Sequence, residues 1–155
     1  MGFEILLRYV SAPLLPLPSW GDLPMQPFAL SDLLDALLRA GREPAFANRT
    51  ISVGVSDELT YSELFRRAAK AMGLAPVTID LPRELRGVGP LAVAYGGRIP
   101  YREAEALVES MITAPFLVED KGAAMRELGI PIRTFEEGLQ LALRDVVRER
   151  TAIAS

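Results

Sequence analysis

The sequence predicts a mixed α/β fold, and three local patterns lead to that expectation. Apolar and small polar residues alternate over residues 51–55 and 77–81, which is typical of strands. Between them, Thr60 and Glu63 form a capping box that is followed by a helical stripe of apolar residues. A strand, a helix and a strand at this spacing predict a right-handed βαβ unit with parallel strands. We therefore expect a small mixed sheet with one βαβ unit, with helices packed on it.

Residues 1–19 are apolar and are interrupted by prolines. The apolar residues follow a helical pattern over residues 3–10, but no N-cap residue precedes them. The run PLLPLP at residues 13–18 predicts an extended, polyproline-type segment. We expect residues 1–19 to be an apolar arm cut from a preceding helix.

Another helix is expected after a short strand at residues 26–30. Ser31 is the predicted N-cap of this helix, and Gly41 is the residue expected to end it. Its apolar stripe, which we expect to face a core, consists of Leu33, Leu34, Leu37 and Leu38.

The second half of the chain predicts a loop followed by helices. Residues 83–100 hold four glycines and two prolines and are expected to form the loop. Three further elements are expected: a helix over residues 101–113, an extended piece over 116–118, and a short helix between Asp120 and Gly129. Thr134 and Glu137 form a second capping box at the start of the last helix.

The composition excludes several kinds of site and partner. The length of 155 residues fits a single domain, residues 1–155. The chain has no Cys and no His, which excludes disulfides, thiol nucleophiles and Ser-His-Asp triads. The net charge of −3 and the lack of a Lys/Arg run argue against a nucleic-acid partner. No apolar run matches a membrane span or a signal peptide, so we expect a cytoplasmic protein with no membrane partner.

The run WGDLPMQPFALSDLLDAL at residues 20–37 places an aromatic residue before an expected strand, an Asp and an expected helix. It resembles the aromatic residue, the strand of the type Q-P-I-x-V, the Asp and the helix of the atypical and extended short-chain dehydrogenase/reductases, which are NAD(P)-binding, sugar-nucleotide-epimerase-like proteins. Three later runs resemble the strands, the helix and the C-terminal end that follow: TISVGVSDELTYSELFRRAAKAMG at 50–73, PVTIDLP at 76–82 and VEDKGAAMRELGIPIRTFEEGLQLAL at 118–143. The resemblance spans residues 3–147.

The cofactor and catalytic motifs of that family have no counterpart here. The glycines of residues 87–97 do not have the G-x-x-G-x-x-G spacing that binds a dinucleotide. The catalytic Tyr-x-x-x-Lys pair is also missing, because no Lys lies four residues after Tyr9, Tyr61, Tyr95 or Tyr101. The resemblance therefore implies the C-terminal, substrate-side portion alone, with no catalytic and no cofactor-binding residue. NAD or NADP is implied for the full-length parent only.

Four residues are candidates for binding substrate. The resemblance puts the loop of Trp20 at the cleft where substrate enters, and its indole offers stacking area and an N–H donor. The amide of Gln26 could orient a substrate, and Tyr95 and Arg98 lie in the expected loop, where Arg could hold a phosphate or carboxylate. The alternatives are a Trp packed on PLLPLP, a Gln facing water from an edge strand, and an Arg solvated at the surface.

Two functions remain open at this point. The first is the substrate-binding C-terminal portion of an NAD(P)-dependent epimerase-like or reductase-like protein, catalytically silent alone. The second is a stand-alone domain that binds a small ligand or a protein without a nicotinamide cofactor. Three carboxylate pairs lie at expected helix starts, where the helix dipole explains them without catalysis: Asp57-Glu58, Glu119-Asp120 and Glu136-Glu137. The expected partners are a small-molecule substrate and, across exposed apolar surface, the missing Rossmann half or a second copy of the chain.

Overall fold

The computed structural model describes residues 2–54, 57–82, 88–113, 117 and 122–153. It is mixed α/β, about 58% helical and 9% strand, which confirms the expected fold class. The contacts divide the chain into two compact units. The first unit comprises Met1–Met25 and Leu59–Pro115, and the second comprises Gln26–Glu58 and Phe116–Ser155.

The first unit holds all four strands and four of the helices of the described chain. The strands are β1 (Leu14–Leu17), β2 (Pro24–Met25), β3 (Leu59–Thr60) and β4 (Val77–Asp80). The helices are α1 (Gly2–Val10), α3 (Tyr61–Ala71), α4 (Val88–Gly97) and α5 (Tyr101–Thr113). The second unit holds α2 (Leu30–Arg42), a 3₁₀ turn (Pro44–Phe46), α6 (Ala123–Glu127) and α7 (Phe135–Ile153).

Strand β4 pairs with β1, not with the strand expected at residues 51–55. β1 and β4 are parallel, with Leu14 opposite Val77 and Leu17 opposite Asp80. The prediction of a strand at 51–55 is wrong, because residues 51–54 have no regular structure; residue 55 lies outside the described residues. The PLLPLP run is extended as expected, and Leu15 and Leu17 within it are buried, whereas all four residues of β4 are exposed.

A proline is tolerated within β1 because of the direction of its neighbours' hydrogen bonds. The N–H groups of Val77 and Leu81 donate to the carbonyls of Pro13 and Leu17, over 3.1 and 2.8 Å. The backbone N–H and C=O groups of the odd-numbered residues of β1 therefore point toward β4, and the ring nitrogen of Pro16 points away from the ladder. The Pro16 carbonyl also faces away, and it accepts a hydrogen bond from the hydroxyl of Tyr9 in α1.

Helix α3 begins as the sequence predicts. The hydroxyl of Thr60 accepts the N–H of Glu63 over 3.2 Å, and the Glu63 carboxylate accepts the N–H of Thr60 over 2.8 Å. The helix buries Leu64, Phe65, Ala68 and Ala69, and the ring of Phe65 lies 5.0 Å from that of Tyr9. Just before it, β3 pairs with β2 in an antiparallel ladder of two residues each.

The loop expected at residues 83–100 is wrong over its second part, because residues 88–97 form helix α4. Its glycines are contact residues. A Cβ on Gly96 would lie 2.6 Å from Cδ2 of Tyr9, and one on Gly97 would lie 2.9 Å from Cγ2 of Ile5. Glycine thus lets α1 and α4 approach closely, which outweighs its low helix propensity. Helix α5 has the predicted bounds.

Helix α2 differs from its prediction in three ways. Residues 26–29 are not a strand, the N-cap is Ala29 rather than Ser31, and the helix continues through Gly41 to Arg42. The leucine stripe is not core: each of its four leucines is exposed to solvent. The face that packs inward is made of smaller residues, with Ala36 and Asp32 buried. The core of this unit contains Ala36, Phe46, Met125, Leu128 and Ile130.

Helix α7 begins with the second predicted capping box. The hydroxyl of Thr134 accepts the N–H of Glu137, and the Glu137 carboxylate accepts the N–H of Thr134. The carboxylate of Asp57 accepts the next N–H, that of Phe135, over 2.9 Å. Gly129 follows α6 with a φ of +66°, as expected of a terminating glycine. Asp120 and most of the piece expected at 116–118 lie outside the described residues.

In the described ranges, none of the helices is both long and apolar enough to cross a bilayer.

Candidate functional site

Trp20 lies in the turn between β1 and β2 and is only 7% exposed. Local hydrogen bonds stabilise this turn. The Gly21 N–H donates to the Pro18 carbonyl over 2.8 Å, and the Leu23 N–H donates to the Trp20 carbonyl over 3.0 Å. The N–H of Ser62, in α3, donates to the Gly21 carbonyl over 2.9 Å and ties the turn to that helix. The position of Trp20 is therefore set by the backbone of β1, the turn and α3.

The indole of Trp20 packs on two neighbours in the first unit. Its ring meets that of Tyr61 edge to face, with centroids 5.2 Å apart and planes at 82°. Its Nε1 lies against Gly89, where an added Cβ would be only 2.9 Å away. Nε1 is buried and has no hydrogen-bond partner among the described residues. A buried donor without an acceptor costs free energy, so an acceptor that reached it would be bound favourably.

Tyr95 and Arg98 lie at the far end of α4 rather than in a loop. The Tyr95 side chain is 88% exposed. Arg98 follows the helix in the left-handed region, with a φ of +53°. The Ile99 N–H donates to Ala94 over 3.1 Å, which closes the helix end around Arg98. Both side chains are exposed to solvent.

The structure brings Tyr95 close to Arg98 but does not bring Trp20 to them. Trp20 meets α4 at Gly89, six residues before Tyr95, a separation of about 9 Å along the helix axis. Gln26 belongs to the second unit, half-buried in the irregular segment before α2. Three of the four candidates therefore belong to the first unit, but they do not converge: at 100° per residue Tyr95 and Arg98 lie on other sides of α4 than Gly89, where Trp20 makes its contact.

Sequence reasoning missed a buried ion pair in the second unit. Asp32, in the first turn of α2, is 2% exposed, and its carboxylate accepts a hydrogen bond from the guanidinium of Arg133. Burial of a carboxylate is costly unless a cation pairs with it. The available signal was its position: Asp32, Ala36 and Ala40 are spaced by four on the side opposite the leucines. This pair fixes the segment before α7 to α2.

Two further arginines hold the second unit together. The guanidinium of Arg39 donates to the carbonyls of Leu128 and Gly129, over 2.9 and 3.0 Å, at the end of α6. The guanidinium of Arg49 forms a bidentate ion pair with the Glu127 carboxylate, over 2.7 and 3.1 Å. That hydrogen bond lowers the pKa of the Glu127 carboxyl below its ordinary value. Arg39 and Arg49 therefore stabilise the fold of the second unit.

Tyr9 and Tyr61, the tyrosines packed into the first unit, are not general bases at neutral pH. Burial raises the pKa of the Tyr9 and Tyr61 hydroxyls, which keeps both protonated at neutral pH. Within the described ranges, no cluster of three or more Asp and Glu residues could hold a metal ion. The first unit holds a buried indole donor at Trp20 and, at the end of α4, the exposed side chains of Tyr95 and Arg98. The chain matches no protein-family model, and no curated protein matches it.

Proposed function

We propose that this chain is the substrate-binding, C-terminal portion of an NAD(P)-dependent, epimerase-like or reductase-like protein of the extended short-chain dehydrogenase/reductase type. In this proposal a separate cofactor half binds NAD or NADP and performs hydride transfer. The present chain contributes binding groups for the substrate and is catalytically silent alone.

The observation that carries the proposal is an incomplete α/β segment around α2. Residues 26–30 and 51–55 have the composition of strands, yet residues 26–29 and 51–54 are not strands and Leu30 begins α2. Helix α2 between them exposes its leucines. A strand forms only beside another strand, and an apolar helix face is stable only when covered. Neighbouring strands from a cofactor half would satisfy all three segments at once.

The first unit supports the substrate side of the proposal. Trp20 has a buried N–H that no described group accepts, and Arg98 is exposed at the end of α4. An indole N–H and a guanidinium both bind oxygen acceptors, and here they offer two separate binding groups rather than one pocket. The sequence resemblance puts the Trp20 loop at the substrate entrance, in agreement with this role.

The exposed leucines also favour a second candidate function. A stand-alone domain that binds a protein partner would use such a stripe as its interface, since large exposed apolar patches mark contact sites. This candidate explains the stripe but not the two unpaired segments of strand composition, and it needs no nicotinamide cofactor.

The mass of the native polypeptide separates the two candidates. We would immunoblot source cells with an antibody raised against this chain. A cofactor half of about one further domain predicts a band near twice 16.9 kDa. The larger protein, once purified, is then expected to bind NADPH, seen as a change in the intensity and wavelength of NADPH fluorescence. A single band at 16.9 kDa contradicts the proposal and favours the stand-alone domain.

A matched pair of variants tests the role of α2 in the larger protein. Leu37→Glu puts a charge on the exposed stripe, and Leu91→Glu puts the same charge on α4, where the leucine is similarly exposed. We expect L37E to weaken NADPH binding and L91E to leave it unchanged. If L37E and L91E change NADPH binding equally, the exposed leucines of α2 do not support the proposal.

A further inference from the structure

We propose that the outer edge of β4 binds β4 of a second copy of the chain, in an antiparallel and two-fold symmetric strand pair centred on Ile79. This inference goes beyond the proposed function and does not depend on it. The residues that carry it lie in the first unit, at positions 76–82, and none of them is a candidate for binding substrate.

Strand β4 is the exposed member of a small sheet. Among the described residues it pairs with β1 alone, so its outer edge has no strand beside it. All four of its residues are exposed, with Val77 at 65% and Ile79 at 44%. Parallel strands normally belong to larger sheets that are covered on both faces. Strand β4 therefore lacks a neighbour that sheets of this kind usually have.

The outer edge of β4 carries two backbone donors. The N–H groups of Val77 and Leu81 donate to carbonyls of β1, so alternate residues of β4 point toward β1. The N–H and C=O groups of Thr78 and Asp80 consequently point outward. In the described part of the chain neither of these two N–H groups has an acceptor. A strand that lies along this edge can accept a hydrogen bond from both.

Two prolines restrict which strand fits the edge. Pro76 and Pro82 hold the next outward positions on either side, and neither has an N–H. A proline ring at such a position collides with the carbonyl of a facing strand, so a long foreign strand would meet both rings. In a second copy centred on Ile79, Pro76 instead faces Pro82 of the partner subunit, outside the ladder. Two-fold registers centred on position 78 or 80 set a ring against a carbonyl within the ladder.

The side chains also match in the register centred on Ile79. Thr78 faces Asp80 of the partner subunit and exchanges two backbone hydrogen bonds with it, and symmetry repeats this pair. Ile79 faces its own copy, and Val77 faces Leu81 of the partner subunit. These apolar pairs fall at the positions without inter-subunit hydrogen bonds, where side chains on facing strands approach most closely.

Charge and topology favour a closed dimer. The register centred on Ile79 keeps the two Asp80 carboxylates apart, and each retains Arg66 of its own chain at 3.6 Å. On the far side of the sheet, Pro16 of β1 has no N–H and its carbonyl accepts the hydroxyl of Tyr9. Growth of this sheet therefore ends at four strands, in the order β1, β4, β4, β1. The contact spans only residues 77–81 of each copy, so we expect a weak dimer that dissociates on dilution.

Disulfide cross-linking tests the register, because the chain has no Cys of its own. Ile79→Cys puts two thiols opposite each other, with Cα atoms about 4.5 Å apart and within the reach of a disulfide. Val77→Cys is the matched control: it is more exposed, but its two copies are about 14 Å apart in this register. Under mild oxidation at about 100 µM, we expect I79C to form a covalent dimer at least tenfold faster than V77C. An equal mixture of V77C and Leu81→Cys should cross-link as fast as I79C.

A proline at position 78 tests the hydrogen bonds. Thr78→Pro removes an outward donor and leaves the hydrogen bonds to β1 in place, because those use the N–H groups of the odd-numbered residues. In sedimentation velocity from about 10 to about 1,000 µM, T78P should raise the dissociation constant at least tenfold, since two of four inter-subunit hydrogen bonds are lost. Thr78→Val keeps the N–H and should change the constant less than about threefold. If circular dichroism shows that T78P does not fold, Ile79→Lys replaces it, with Leu91→Lys as its control.

Each outcome decides the proposal. A monomer at all concentrations, or a V77C that cross-links as fast as I79C, overturns the pairing centred on Ile79. A dimer that T78P and I79K leave unchanged, or that Leu37→Glu weakens instead, overturns the assignment to β4. None of these results bears on the native mass, so a 16.9 kDa band would end the proposed function while leaving the dimer measurement intact.

Discussion

Single side chains in the first unit show how burial and backbone geometry decide what a residue can do. The Tyr9 hydroxyl donates to the Pro16 carbonyl, and burial raises the pKa of this hydroxyl well above its ordinary value of 10.0. Arg98 sits in a left-handed conformation that glycine normally occupies. Neither feature is visible in the sequence, because the first depends on how α1 packs on β1 and the second on where α4 ends.

We expect Tyr9 to destabilise the fold at alkaline pH. A pKa raised in the folded state contributes stability that is present below about pH 10 and is lost as the pH rises further. Tyr9→Phe should cost about 1 kcal/mol at pH 7, because the Pro16 carbonyl loses its donor. That cost should shrink above pH 10, as measured by urea unfolding from pH 7 to pH 11. Tyr95→Phe, at an exposed position, is the control and should show neither effect. The prediction is refuted if the difference in unfolding free energy between Y9F and the original chain is the same at pH 7 and at pH 11.

We expect glycine at position 98 to stabilise the protein. Arg98 has a φ of +53°, and replacing it by Gly should relieve about 1 kcal/mol of backbone strain, seen as a higher Tm. Asn48, with a φ of +59°, is the matched control, since Asn tolerates this region and Asn48→Gly should gain less. If Arg98 also holds substrate, R98G should gain stability while losing ligand affinity. A lower Tm for R98G would contradict the strain argument.

At the scale of elements, local signals worked where the stabilising group is nearby in sequence. Both capping boxes form as predicted, because each helix start is determined by a pair three residues apart. The strands were predicted less well. β4 takes β1 as its partner across more than 60 residues, and no local pattern specifies which strand that will be.

The glycines of α4 illustrate the same limit and lead to a testable contrast. Gly96→Ala should destabilise the protein by about 1–3 kcal/mol, because its Cβ would overlap the ring of Tyr9, only 2.6 Å from Cδ2. Gly41→Ala in α2 meets no atom within 4 Å and should stabilise by about 0.5–1 kcal/mol through helix propensity. Thermal unfolding of the two variants checks both signs. A stabilised G96A would mean that α1 does not press against α4 as described.

At the scale of the whole molecule, charge and exposed leucine surface act together. The net charge at neutral pH is −3 and the isoelectric point is near 5.1. With no His in the chain, the net charge changes little between about pH 6.5 and 8.5. Electrostatic repulsion between copies therefore falls only as the pH approaches the isoelectric point.

We expect association of the chain to be nearly constant from pH 6.5 to 8.5 and to rise steeply toward pH 5.1. Static light scattering across this range measures it. Leu37→Gln keeps the net charge and should lower the association at every pH if the stripe of α2 is the contact surface. Association that peaks away from the isoelectric point would show that general charge repulsion does not control it.

Part of the candidate site could be predicted from the sequence, and part is visible only in the structure. Composition alone excluded thiol and imidazole chemistry, and the sequence offered Trp20 and Arg98 as candidate binding groups. Their separation along α4 could not be predicted, because residues 83–100 are expected from sequence to form a loop, whereas 88–97 are a helix. Asp32 and Arg133 were missed, since a pairing between residues 101 positions apart leaves no local signal.

The sequence by itself determined the α/β class, the helices with capping boxes, the bounds of α5 and the absence of Cys and His chemistry. These features depend on residue type or on neighbours within about one helical turn. Only the tertiary structure decided that β1 is the partner of β4, that the glycines of α4 serve helix packing, and that the leucines of α2 face outward. The physical reason is that an amphipathic pattern predicts an apolar helix face but not the surface that packs against it. That surface depends on contacts with distant residues of the chain or with another molecule.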